Sequence, residues 1–226
     1  DVIKYIKEEF GGKIDLLIYS LASAVRTDPK DGVTYRSALK STKEEIVGPS
    51  INLEKEAMEE TVMGVATPEE IHSTVKVMGG EDWKLWVDAL DEAGVLTDGF
   101  KTVAYSYLGP KVTYGIYKDG TIGAAKRDLE HTSDVLNDFL KKKYNGEAYV
   151  SLSKALMTRA SAVIPIFPLY AALLYKVMKE KGIHEGTIQQ KHRLLTQMVY
   201  GNHPVIDEER RLRPDNWEMR EDVQAE

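Results

Sequence analysis

Cysteine is absent from all 226 residues, which excludes disulfides, thiolate metal sites and cysteine nucleophiles. That absence fits a reducing cytoplasm. An excess of positive charge is also missing. Thirty Lys and Arg stand against 36 Asp and Glu, for a net charge of -6 and a pI near 5.5. This balance argues against nucleic acid or an anionic membrane surface as the main partner. The longest apolar run, Ala162 to Tyr175, is shorter than the ~20 residues of a bilayer-spanning helix and carries Pro165 and Pro168. No charged-then-apolar leader opens the chain. The histidines, at 72, 131, 184, 192 and 203, are scattered without HExxH or similar spacing, so no metal site is expected. A GxSxG elbow, a P-loop, an EF-hand loop and any glycine-rich phosphate cradle are likewise absent. The sequence reads as that of a soluble protein.

What is present supports one sizeable core, with 42% hydrophobic residues. The chain opens without Met on DVIKYIKEEF, where Val2, Ile3, Ile6 and Phe10 read as the middle or end of an amphipathic helix. The expectation is a start inside a larger protein. After Gly11-Gly12, the apolar run Ile14 to Ser20 has the composition of a parallel strand buried on both faces. Small and polar residues follow at once. Ligands in open α/β sheets sit beyond the carboxyl ends of strands, so Leu21 and Ala22 would pass their backbone near a cofactor, unless this is an ordinary strand exit.

Residues 28–66 read as an irregular insertion with short strands. Thr67-Pro68-Glu69-Glu70 is a capping box with Pro at the first helical position, predicting a helix to about Val77. Asp82-Trp83 opens another, with Trp83, Trp86, Val87 and Leu90 on one side as core anchors. Thr102 to Leu108 reads as a strand, Thr121 to Tyr144 as a long helix with Thr121 at its N-cap, and Ala148 onward as a strand start. Residues 159–182 are largely apolar, kinked or restarted at the two prolines and stopped by Gly182. Strands separated by helices predict an α/β fold in one unit covering 1–226.

One stretch carries candidate chemistry. Tyr117 and Lys126 stand with eight residues between them. Nine positions of straight α-helix turn a side chain to the opposite face. However, Asp119-Gly120 and Gly123 interrupt the segment, so Tyr117 is expected before the helix and Lys126 about a turn inside it. A free tyrosine has a pKa of ~10 and is a poor acid near neutrality unless a cation stabilises its anion. A nearby lysine would do that and hold ribose hydroxyls of a dinucleotide. On spacing alone, a surface lysine and a core tyrosine fit better.

The segments IDLLIYSLASAVRTDP, VMGGEDWKLWVDALDEAGVL, VAYSYLGP, IYKDGTIGAAKRDLE and TRASAVIPIFPLYAALLYKVMKEKG, in that order, resemble the trans-2-enoyl-CoA reductase family and the related enoyl-acyl-carrier-protein reductases. The likeness runs over nearly the whole chain and includes the distinctive Tyr-x8-Lys. It implies a Rossmann-like, short-chain-dehydrogenase-like parallel sheet with helices on both faces and a lid-like substrate region. The implied activity is reduction of the C2=C3 bond of an enoyl thioester, carried by CoA or acyl carrier protein, with NADH in fatty-acid synthesis. By the resemblance, Tyr117 is the catalytic tyrosine and Lys126 its partner and a cofactor contact. Leu21, Ala22, Leu156, Met157 and Thr158 would meet NAD. Tyr107 would touch substrate, and Ile164, Ile166, Phe167 and Leu169, within Val163 to Tyr170, would line the acyl pocket. Full-length members are expected to be monomers. Family members begin with a strand and a glycine-rich turn for the pyrophosphate, which this sequence does not contain. The expectation is therefore an incomplete sheet and weak NADH binding unless another segment supplies that turn. Two other readings stay open: a carbonyl-reducing short-chain dehydrogenase built on Tyr114 and Lys118, and a non-catalytic module or incompetent fragment that keeps the fold.

Overall fold

Strand β6 (Leu96–Ser106) organises the molecule, because it is the middle strand of a three-stranded parallel sheet. Strand β1 (Ile14–Tyr19) pairs on one side, with Tyr19 opposite Ala104, and β7 (Glu147–Leu152) on the other, with Ser106 opposite Leu152. The computed structural model describes residues 1–21, 23–52, 55–158, 161–162, 164, 166–202 and 204–225. The α/β reading holds.

Side-chain alternation along β6 decides what each face does. Thr102, Ala104 and Ser106 point toward α3 (Glu81–Glu92) and α5 (Thr121–Tyr144). There Ala104, with Ala148, Val150 and Leu152 of β7, packs against Trp83, Val87, Leu90, Leu129, Leu136 and Leu140. Val103 and Tyr105 point the other way, onto Leu194, Met198, Val199 and Leu212. These come from a π-helical turn (Leu194–Val199) that continues α7 (Thr187–Arg193), and from the C-terminal tail. Helices thus cover both faces. Each fully buried large apolar side chain such as Phe100 or Leu140 contributes about 1.5–3 kcal/mol. Trp83 is fully buried, and its indole N–H donates to Thr102 Oγ1 at 2.9 Å. Trp86 is only half-buried.

Local chemistry sets the helix ends. Helix α2 (Pro68–Met78) starts at the Thr67–Glu70 capping box, formed in both directions, with Pro68 at the first turn. Gly79 ends it, and α3 follows from its N-cap Gly80 with Glu81 as first residue, one residue earlier than Asp82 suggested. Helix α5 ends at Asn145 in the left-handed conformation. Two antiparallel hairpins stand outside the main sheet, β2 (Val25–Thr27) with β3 (Thr34–Arg36), and β4 (Ile46–Asn52) with β5 (Ala57–Met63).

Two expectations change. Strand β1 is half-buried rather than enclosed, because its only pairing among the described residues is with β6, and Asp15 reaches solvent. Thr121 does not cap α5. Gly120 holds that position while the Thr121 hydroxyl is buried, donating to Ala38 O and accepting from Lys40 N–H at 3.3 Å. The segment before β4 claims the side chain that would otherwise turn back on the helix.

A third apolar cluster lies beyond the carboxyl ends of the strands. Short α4 (Tyr114–Tyr117), the start of α5, α6 (Phe167–Glu180) and α8 (Glu221–Gln224) meet there through Ile116, Ile122, Ala171, Leu174 and Val223, with Met63 of β5. The tail reaches this end by running beside β7: Leu212 N–H donates to Val150 O and Leu152 N–H to Leu212 O, both at 2.9 Å.

Candidate active site

The backbone between α4 and α5 explains how Tyr117 and Lys126 share one site. Tyr117 ends α4, the chain turns through Asp119 and Gly120, and Lys126 is the sixth residue of α5. A Cβ on Gly123 would fall 2.5 Å from the Lys118 carbonyl carbon, so α5 starts against the end of α4 only because position 123 has no side chain. Tyr117 and Lys126 then line the same two cavities. One, of about 500 Å³, opens at the carboxyl end of β1 and also takes in Tyr19, Leu21, Tyr105 and Ile164. The other, of about 560 Å³, takes in Tyr107, Arg127, Arg211 and Arg213. Tyr117 also borders a third, of about 210 Å³, with Tyr107, Leu156, Thr158, Ile164 and Phe167.

The tyrosine sits in an aromatic cage. Tyr107 meets it edge-to-face with ring centroids 4.7 Å apart, and Phe167 meets both rings at 5.6 and 5.8 Å. Tyr117 is 5% exposed. Burial first, and the negative charge of Glu218 second, push its phenol pKa well above the ordinary value. Both causes favour the neutral phenol, so at neutral pH Tyr117 is a hydrogen-bond donor. Lys126 takes a different partner from the one expected: its ammonium donates to Ser106 Oγ at 3.0 Å, from the β6 position that alternation turns toward α5. Burial lowers its pKa to about 8, opposed in part by Glu130. It remains mostly charged at pH 7.

The other sequence-derived residues divide. Leu21 is 64% exposed at the mouth of the 500 Å³ cavity. Ala22 lies outside the described residues, as do Val163 and Pro165 of the apolar segment. Leu156, Thr158, Ile164 and Phe167 reach the cavities. Met157 borders none of the three cavities, and its N–H donates to Tyr175 Oη at 2.8 Å. Ile166 precedes α6 at φ 66°, a costly conformation for a β-branched residue, and packs toward Gly48 of β4. Leu169 borders none of the three cavities.

Glu218 was not singled out by the sequence, where it is one charge in a polar tail. It is fully buried beside Tyr107 and Tyr170. The 500 Å³ cavity fits the nicotinamide end of a dinucleotide: it lies where such ligands bind, with an ammonium and a neutral phenol on its wall. A glycine-rich strand-to-helix turn for the pyrophosphate is not found among the described residues.

Comparison with known proteins gives this geometry its family. The family model for the trans-2-enoyl-CoA reductase catalytic region matches residues 1–200. The chain belongs to the trans-2-enoyl-CoA reductase family. It is 53% identical over 227 residues to the enoyl-acyl-carrier-protein reductase (NADH) 2 of Photobacterium profundum, covering 100% of this chain and 56% of that protein. It is equally 53% identical to the trans-2-enoyl-CoA reductase (NADH) of Clostridium beijerinckii, covering 57% of it. Among solved structures, trans-2-enoyl-CoA reductase from Clostridium acetobutulicum in complex with NADH superposes with a TM-score of 0.95 at 49% identity, covering 99% of this chain and 56% of that one. The Treponema denticola enzyme in complex with NAD gives a TM-score of 0.91 at 48% identity, with coverage of 99% and 56%. The chain thus spans little more than half the length of these reductases. Their Rossmann-like fold is the one seen here.

Proposed function

We propose that this chain forms the catalytic centre of a cytoplasmic, monomeric, NADH-dependent reductase of trans-2-enoyl thioesters. The thioester handle is CoA or acyl carrier protein, and the pathway is fatty-acid synthesis. The observation that carries the reading is that Tyr117 and Lys126 line two cavities in common at the carboxyl end of the sheet. The names and cofactors of the half-identical reductases support it.

NADH, when bound, supplies the hydride that reaches C3 of the conjugated thioester. Negative charge then develops on the thioester oxygen, and a buried neutral Tyr117 is placed to donate a hydrogen bond to it. A preorganised donor of this kind contributes most where water is excluded. Lys126, anchored on Ser106, offers its remaining N–H groups to the ribose hydroxyls and fixes the ligand against Tyr117. Leu21, Ala22, Leu156, Met157 and Thr158 are assigned to the cofactor, Tyr107 to the substrate, and Ile164, Ile166, Phe167 and Leu169 to the acyl chain.

Tyr114 and Lys118 are the competing pair. The Lys118 ammonium lies over the Tyr114 ring, 4.7 Å from its centroid, but Lys118 is exposed and neither residue borders the 500 Å³ cavity. The test is turnover of an enoyl thioester and of a ketone by the full-length enzyme. Tyr117→Phe is expected to lower enoyl reduction about 10²- to 10³-fold with NADH affinity retained, and Tyr114→Phe to leave it nearly unchanged. Loss of activity only in Tyr114→Phe would reverse the assignment.

A further inference from the structure

We propose that Glu218 is a positioning residue of this site, its carboxylate locking the Tyr107 hydroxyl, the pocket helix α6 and the loop after β7 into one arrangement around Tyr117. The proposal rests on the reductase reading above. Its structural basis is a set of three hydrogen bonds converging on one fully buried side chain. Tyr107 Oη donates to Oε1 at 3.0 Å and Tyr170 Oη to the same oxygen at 2.7 Å, while the Ala155 N–H donates to Oε2 at 2.6 Å. Gln224 Nε2 donates to Tyr170 Oη at 3.2 Å, an arrangement compatible with the phenol proton going to Glu218.

An ionised carboxylate accepts from all three groups with no proton of its own to place, whereas a protonated acid keeps acceptor lone pairs but must also place its proton among them. The Glu218 pKa is raised, because burial outweighs the bonds from Ala155, Tyr170 and Tyr107 that pull it back. Asp215 disfavours its charge, and Lys154 and the tyrosines 107, 117, 170 and 175 are further titratable groups that feel it. Each partner belongs to a different part of the site. Tyr107 packs edge-to-face on Tyr117. Tyr170 lies in the first turn of α6, whose Phe167 completes the cage. Ala155 directly precedes Leu156, which with Thr158 three residues on lines the 210 Å³ cavity. With its proton committed to Glu218, Tyr107 borders both the 210 and the 560 Å³ cavities.

An amide at this position can keep the Ala155 N–H bond only by turning its NH₂ toward the two phenols, which must then accept instead of donate, so the Tyr107 hydroxyl proton loses its acceptor. In the full-length enzyme, Glu218→Gln is therefore expected to lower kcat about 10- to 100-fold, the loss of charge-assisted bonds to buried donors, with the KM for NADH little changed. In a Tyr107→Phe background the same substitution should cost almost nothing further, because the effect passes through the Tyr107 hydroxyl. Full additivity of the two losses would overturn the proposal. A second readout does not depend on turnover. With tyrosines labelled at Cζ, the Tyr107 NMR resonance should shift in Glu218→Gln and begin to ionise at lower pH, because a negative neighbour has been removed. An unmoved resonance overturns the proposal even in an active enzyme. If the wild-type enzyme reduces no enoyl thioester, the functional reading fails while the resonance still decides the positioning role. Should Glu218→Gln fail to fold, Tyr170→Phe removes the donor that shares Oε1 with Tyr107 and leaves the Glu218 side chain in place; the Tyr107 resonance is expected to move, and an unmoved resonance overturns the proposal.

Discussion

Gly123→Ala tests whether the Tyr117–Lys126 geometry depends on the close meeting of α4 and α5. A Cβ at position 123 would lie 2.5 Å from the Lys118 carbonyl carbon and 2.9 Å from the Lys118 Cα. These are backbone atoms, so no rotamer change relieves them. Restoring an ordinary carbon–carbon separation of about 3.5 Å requires the start of α5 to move away by roughly 1 Å. Two energies oppose each other. Alanine gains up to about 1 kcal/mol of helix propensity over glycine, whereas overpacking costs about 1–3 kcal/mol. The net loss of stability is thus about 0–2 kcal/mol, a fall in Tm of a few degrees. Activity should suffer more. Lys118 adjoins Tyr117, and Lys126 lies three residues beyond Gly123 on α5, so the displacement falls directly between the two groups. A misplacement of about 1 Å lowers rate by about 10²-fold. The assay is kcat by NADH consumption together with thermal unfolding of the full-length enzyme. Gly64→Ala serves as control, because a Cβ there meets nothing within 4 Å. Unchanged kcat and Tm in Gly123→Ala would refute the close-approach argument. A large fall in Tm with proportionate loss of activity would show that the effect is on folding rather than on alignment.

Three further outcomes follow from the same structure. Thr102→Val should destabilise by about 1–3 kcal/mol in urea unfolding, because it strips the buried Trp83 N–H of its acceptor and Leu17 O of the donor 3.0 Å away; an unshifted midpoint would mean that water replaces both. Arg193→Met should cost about 3–5 kcal/mol by leaving Glu185 charged and buried without its two bonds at 2.6 and 3.0 Å, and pairing it with Glu185→Leu should recover most of the loss. The Lys126 ammonium, with its pKa lowered to about 8, is protonated below that pH and loses its charge above it; kcat/KM should therefore fall as pH rises through about 8, and Lys126→Arg should remove that alkaline limb. A wild-type profile flat well above this pH would show that the charge is not needed.

Much of the fold was legible because the signals were local. The Thr67–Glu70 capping box, the helical spacing of α5 and the Gly182 stop each depend on residues a few positions apart, and each appears where the pattern places it. Expectations failed where a distant segment intervened. Thr121 has the chemistry of an N-cap, but Ala38 and Lys40, some 80 residues upstream, engage its hydroxyl. The apolar composition of β1 suggested a fully enclosed strand, yet burial depends on what lies beside it, and β6 is its only partner among the described residues.

The site shows the same division more sharply. Tyr117 and Lys126 were recognisable as residue types at a distinctive spacing, and Gly120 and Gly123 as the reason they need not lie on one straight helix. Their electrostatic relation was not legible. The chemistry of a paired lysine suggested an ammonium that lowers the tyrosine pKa, whereas the phenol is governed by burial and by Glu218, 101 positions away. The lysine is instead held by Ser106, a residue whose importance depends only on which face of β6 it occupies. Glu218 left no sequence signal, because a carboxylate in a polar tail looks solvated until Leu212 bridges to β7 and carries the tail to the carboxyl end of the sheet. An isolated buried carboxylate would carry a large desolvation penalty, and here three donors from separate elements offset it. Because those donors are brought together by the tertiary fold, the proposed positioning role ties the tail that supplies Glu218 to the same site as the Tyr-x8-Lys segment.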